Sequence, residues 1–168
     1  RTAESLDEEF VEELRRRGYD MNTVGDYLNG PTVRSLYIES GARKRRMIAF
    51  AAAHRVETNQ LLEEFQDPVI ASHVRQHAAG SIAVIGALFT AKGRGISNIN
   101  QIVVTEILTE LLARDFTYVV YHPCDKAGMN PRAIDALKRQ GFVNIAESGS
   151  QPVYAVEMRA PLVIFRDV

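Results

Sequence analysis

One stretch constrains the fold more than any other. An uncharged run, Ser81 to Thr90, leads through Ala91-Lys92-Gly93-Arg94-Gly95-Ile96-Ser97-Asn98 into a helical repeat of apolar residues. The compact run reads as a strand, and Ile99, Ile102, Val103, Ile107, Leu108, Leu111 and Leu112 supply the apolar stripe of a helix. A glycine-rich turn that ends at a helix N-terminus lets bare backbone N–H groups converge on an anion, helped by the positive end of the helix dipole. Lys92, Gly93, Arg94, Gly95, Ile96, Ser97 and Asn98 are therefore a candidate phosphate cradle, although glycines at such a turn can also serve only to permit positive φ.

The remaining punctuation gives an ordered series of elements. Leu6, Phe10, Val11 and Leu14, with acids before them and Arg15-Arg16-Arg17 then Gly18 after, predict a helix over Asp7–Arg17. A second, short helix is expected over Asn22–Leu28, stopped by Asn29-Gly30-Pro31. Thr32–Glu39 and Arg46–Val56 read as an antiparallel hairpin across Ser40–Lys44. In its second strand Ile48, Phe50, Ala52 and His54 share one face while Met47, Ala49, Ala51 and Ala53 share the other, as in a central strand, though the alanines also permit a helix.

Between Asn59 and His77 the apolar spacing predicts helix, with Pro68 kinking it or dividing it in two. Phe116 to His122 is a buried-looking strand, Pro131–Arg139 a helix with Gly141 as its C-cap, and Phe142–Ala146 pairs with Val153–Met158 across Glu147–Gln151. Pro161 interrupts a last strand and implies an edge or a bulge. No internal repeat or linker divides the chain, so residues 1 to 168 are expected to form a single domain.

Composition narrows the class. The formal charge of -1 gives no overall field for nucleic acid or an anionic membrane, and no apolar run reaches the length of a membrane span. The one cysteine, Cys124, excludes a disulfide framework and a cysteine-based zinc site, so a soluble cytoplasmic protein is expected. The charged opening lacks the apolar centre of a signal peptide. Arg1 in place of methionine, and an end just after Leu162–Phe165, give the expectation of a fragment of a longer multidomain protein.

This order of elements resembles the GCN5-related N-acetyltransferase (GNAT) superfamily, and two motifs carry the resemblance. Lys92-Gly93-Arg94-Gly95-Ile96-Ser97 is similar to a relaxed copy of the family's pyrophosphate-binding turn. Asn130, Ala133 and Gly141-Phe142 keep the register of its Asn-x-x-Ala to Gly-Phe signature on the helix beside the cofactor's pantetheine arm. The resemblance spans Thr32 to Met158 and implies an α/β (α+β) acyl-CoA N-acyltransferase fold, a mixed central sheet flanked by helices. It also implies acetyl-CoA or another acyl-CoA as cofactor, an amine acceptor, and direct attack of that amine on the thioester, with backbone N–H groups of Ser81–Thr90 among those polarising the carbonyl. The chain is also similar to the GNAT-like region at the C-terminal end of bacterial cytidylyltransferase-related proteins. That likeness gives the alternative reading of a non-catalytic module beside a nucleotidyltransferase domain.

Departures from the pattern bear on catalysis. Leu137 stands where many family members place the tyrosine that protonates the leaving thiolate, and Ser81–Thr90 carries no acid to deprotonate an amine. Tyr121, His122 and Cys124 remain as candidate proton carriers at the C-terminal end of a strand, where an α/β sheet exposes its ligand crevice. His122 before a proline can equally be a loop hydrogen-bonder, and Cys124 has no paired base. His73 and His77 share a helix face without a third ligand, so they read as surface or capping groups, and no metal is expected. His54 reads as a satisfied core or crevice histidine, and Arg43-Lys44-Arg45-Arg46 as a charged hairpin tip.

Overall fold

The computed structural model describes Glu12, Arg15, Arg16 and residues 32–40, 45–90, 98–122 and 131–158. Glu12, Arg15 and Arg16 are helical where the first helix is expected, and Arg15 Nη1 lies 3.2 Å from Glu12 Oε2. The expected helix over Asn22–Leu28, the turn at 91–97, Cys124, Asn130 and the strand broken by Pro161 lie outside the described residues.

Strands β1 (Thr32–Ser40) and β2 (Arg45–Val56) form the expected antiparallel hairpin. A short 3-10 turn, Thr58–Gln60, then leads into helices α1 (Leu61–Phe65) and α2 (Pro68–His77). Pro68 thus divides the helical segment rather than kinking it. Gln66 turns left-handed at φ 52 and its N–H donates to the Leu62 carbonyl at 2.8 Å, which closes α1. Asp67 Oδ1 accepts from the N–H groups of Val69 at 2.9 Å and Ile70 at 3.4 Å, opening α2 with proline at its first position, where no donor is needed. Removing this cap by Asp67→Ala is expected to cost about 1 kcal/mol, whereas Asp67→Asn, which caps as well, stays near wild type; urea unfolding of the pair checks this.

Strand β3 (Ser81–Thr90) pairs with β2, and helix α3 (Ile99–Ala113) carries the chain to β4 (Phe116–Tyr121), which lies parallel to β3. Helix α4 (Pro131–Arg139), β5 (Val143–Asn144) and β6 (Tyr154–Glu157) complete a six-stranded mixed sheet in the order β1-β2-β3-β4-β6-β5. The parallel pair sits at its centre and every other pairing is antiparallel. Gly141, at φ +94, ends α4. Its N–H donates to the Lys138 carbonyl and that of Phe142 to the Leu137 carbonyl, so two otherwise unpaired carbonyls of the last turn are satisfied.

Both faces of the sheet are covered, and strand alternation assigns each residue to its side. Ala49, Ala51 and Ala53 of β2, Ala83 and Ile85 of β3, and Val119 and Tyr121 of β4 pack under α3 and α4. Ile82, Val84, Tyr118 and Val120 face α1 and α2 on the other side with Leu61, Phe65, Ile70 and Val74. The small β2 side chains let α3 lie close to the sheet, which explains the alanine run that the sequence alone leaves open to helix.

One expectation for α3 is corrected. Its buried arc is Val103, Val104, Ile107, Leu108 and Leu111, all fully buried, while Ile102 is 37% exposed. At about 100° per residue Ile102 falls on the side of the helix away from that arc. Among the described residues no helix is long and apolar enough to cross a membrane, and no cluster of three metal-binding side chains occurs.

Candidate active site

The central parallel pair does not run the length of its longer strand. Ser81 lies opposite Phe116, the register shifts between Ser81 and Ile82, and pairing then runs in step from Ile82 opposite Tyr118 to Ile85 opposite Tyr121, where the His122 N–H still donates to the Ile85 carbonyl at 3.1 Å. Beyond that point β3 continues to Thr90 with β2 alone, so among the described residues no strand lies along the other edge of Gly86–Thr90. The register between β2 and β3 also slips here: Ala52 faces Ala87 but Ala53 faces Ile85, leaving Gly86 as the extra residue of a bulge. A bulge bends its strand and disrupts the ladder, and a glycine accommodates it readily. Among the described residues the sheet is therefore open on that side of β3, a wedge with its apex at Ile85, Gly86 and Tyr121.

The next described residue after Thr90 is Asn98, the N-cap of α3, which is left-handed at φ 70. The Asn98 carbonyl accepts the first intrahelical bond from the Ile102 N–H at 3.0 Å, while its side chain makes no capping bond. With no acid in the first turn, the positive end of the helix dipole is not offset there. Gln101 Oε1, in that turn, is buried with no partner among the described residues. Of the predicted cradle only Asn98 is described; Lys92 to Ser97 are not. Ala133 is fully buried on the α3 side of the core, where a small side chain lets α4 pack closely, and Asn130 is not described.

The candidate proton carriers separate cleanly. Tyr121 is nearly fully buried and belongs to the core under α3, while Cys124 lies outside the described residues. His122, the next residue along, emerges on the opposite face and is only partly buried. Its ring stands edge-on to Phe65 of α1, with centroids 5.3 Å apart and planes at 84°. Burial holds its pKa below the ordinary histidine value; the Glu64 carboxylate works against that shift, and His54 adds to it.

Glu64 is the member of this group that residue patterning misses. Its Oε1 lies 2.7 Å from His54 Nε2, the two side chains being 22% and 26% exposed, so α1 is tied to β2 beside His122. Only the alternation that puts His54 on one strand face hints at the pairing, because nothing local links position 54 to 64. His54 is thus a satisfied crevice histidine, as expected. His73 and His77 stack at 4.1 Å, and His77 Nδ1 bonds to the His73 carbonyl at 2.8 Å, the capping role read from their spacing.

Beside His122 an open pocket of 230 Å³ is walled by Phe65, Gln66, Asp67 and Ile70 of the α1–α2 junction and by Ser150 to Val153 of the last hairpin. The site thus has three parts: a wedge in the backbone ladder, the N-terminus of the helix that follows β3 in the chain, and a histidine that faces a polar pocket.

No protein-family model matches this sequence, and no curated protein sequence does. Solved structures do resemble it. NAA60 of Arabidopsis thaliana in complex with acetyl-CoA superposes with a TM-score of 0.64 at 15% identity, over 90% of this chain and 93% of that one. FeeM, an N-acyl amino acid synthase from uncultured soil microbes, gives 0.61 at 12% identity over 94% and 93% of the two chains. A GNAT-family acetyltransferase of Staphylococcus aureus Mu50 gives 0.57 at 13% identity over 94% and 96%. The mixed sheet flanked by helices is accordingly the GNAT acyl-CoA N-acyltransferase fold.

Proposed function

We propose that this chain is an acyl-CoA-dependent N-acyltransferase domain that transfers an acyl group to an amine. The observation that carries the reading is that β3 runs on past the end of its pairing with β4 at Ile85 and Tyr121, with α3 next in the chain and His122 where the pairing ends. The acetyl-CoA complex of NAA60 supports it.

The available groups fit such a cofactor. Lys92 to Asn98 would hold its pyrophosphate, where the dipole of α3 meets no acid in the first turn. Asn130, just before α4, and Ala133, on it, would flank its pantetheine arm. The edge of Gly86–Thr90 that no described strand covers would offer amide partners to an extended amide-bearing chain. An acyl-CoA supplies an activated acyl carbon: the amine nitrogen bonds to it, the carbon–sulfur bond breaks, and sulfur leaves as thiolate. Neutral His122 accepts the proton released by the amine. Backbone N–H groups near the Gly86 bulge polarise the carbonyl.

Calorimetric titration with acetyl-CoA and desulfo-CoA tests the first half of this reading. Saturable binding that is abolished by Gly95→Asp is expected, since a carboxylate in the turn repels the pyrophosphate. Turnover with an amine library tests the second half. The accessory-module reading draws on Leu137, which is fully buried and supplies no proton; acylation of any amine eliminates it.

A further inference from the structure

We propose that the pocket between the α1–α2 junction and the last hairpin is an acceptor subsite for short diamines, whose second, non-reacting ammonium is held by Asp67. The proposal rests on the acyltransferase reading and adds a substrate class to it.

The pocket has two chemically different poles. At one, His122 touches Phe65, and the wedge in the sheet begins at its own backbone. At the other, Asp67 carries the formal negative charge of the lining, and no lysine or arginine lines the pocket with it. Both of Asp67's capping bonds use Oδ1, so Oδ2 stands outside the cap. Phe65 and Asp67 are two positions apart, a backbone span of at most about 7 Å. A diamine with a few methylenes between its nitrogens bridges such a distance. Its stem would pass Phe65 and Ile70, and its outer end would meet Gln66, Ser150 and Gln151 as well as the carboxylate.

Size and polarity point the same way. At 230 Å³ the pocket is smaller than common drug-sized sites of about 300–1,000 Å³. It therefore suits a compact acceptor better than a folded-in peptide. A purely apolar amine would leave the polar outer wall, Asp67 Oδ2 included, without a partner from the acceptor. An alkyl ammonium stays charged at neutral pH and can donate to Oδ2, which the cap does not use.

The test uses the full chain and two amines of matched length, 1,4-diaminobutane and butylamine. Calorimetric titration is carried out with and without saturating desulfo-CoA, and steady-state acylation is followed with acetyl-CoA. The proposal expects the diamine to bind and to show a KM at least about tenfold below that of butylamine. Asp67→Asn keeps the α2 cap and is expected to collapse that preference by raising the diamine's KM, with kcat for the diamine little changed. Ser150→Arg, on the exposed turn, places a like charge in the pocket and is expected to weaken the diamine in the same way. Equal handling of the two amines by the wild type, or a preference that survives both substitutions, overturns the proposal. Failure of desulfo-CoA to bind overturns the acyltransferase reading instead, and the diamine titration without it still decides whether Asp67 holds the cation.

Discussion

Replacing His122 with asparagine is expected to lower amine acylation about 100-fold while leaving the affinity for acetyl-CoA unchanged. General-base catalysis by a positioned side chain contributes about 10²–10⁴-fold, and His122 is the described candidate that reaches the pocket, Tyr121 being buried in the core on the other face. Asparagine retains the backbone N–H that bonds to the Ile85 carbonyl. Loss of rate with intact cofactor affinity therefore separates proton transfer from collapse of the wedge.

The pH profile carries the same argument. Because burial depresses the His122 pKa, the neutral ring that accepts a proton is present throughout the neutral range, and activity falls as the pH drops through the lowered value. Glu64 opposes the depression, while His54 deepens it. Glu64→Gln is thus expected to move the acid limb of kcat/KM to lower pH. Stability has the matching sign. A histidine whose folded pKa is depressed contributes fully above its unfolded value of about 6.5, and the contribution disappears as the pH falls through the folded value. The wild type should therefore lose stability to acid more steeply than His122→Asn in that window, as urea unfolding across the pH range would show.

The second large effect is on stability. Leu137 is fully buried among the α3-side core residues, so Leu137→Ala is expected to cost about 2–5 kcal/mol from lost burial and the cavity left behind. In a chain of this length each kcal/mol lowers Tm by about 2–4 °C, so a calorimetric scan should show a drop of roughly 5–20 °C. Leu137→Tyr restores the residue type found at this position in many proteins of the resembled superfamily, yet it has to fit a larger, polar side chain into a filled space. A cost of about 1–3 kcal/mol with no gain in turnover is expected. An increase in turnover would mean that Leu137 faces the reacting centre rather than the core.

Local chemistry explains which parts of the fold were legible in the sequence. The bounds of β3 and α4 follow from composition and punctuation, since Ser81–Thr90 is uncharged and Pro131 and Gly141 mark the start and stop of a helix. Pro68 and Asp67 announce the break between α1 and α2 through missing-donor and capping chemistry. Ile102 was misassigned because an apolar repeat shows that a helix is amphipathic without fixing which arc the sheet covers. Glu64, Phe65 and the pocket stayed hidden for another reason. Their partners, His54, His122 and the turn at Ser150, come from β2, β4 and the last hairpin, and only sheet order brings them together.

The helices that wall the pocket belong to the connection between two neighbouring antiparallel strands, β2 and β3, whereas α3 and α4 belong to the crossovers on the other face. Under the proposed function, the α1–α2 part of the acceptor pocket and the donor grip would reside in separate pieces of covalent chain. Lengthening, shortening or regrafting the loop at 57–80 should redirect which nucleophile is admitted without disturbing the donor side, a division of labour that makes this scaffold suitable for retargeting by loop exchange.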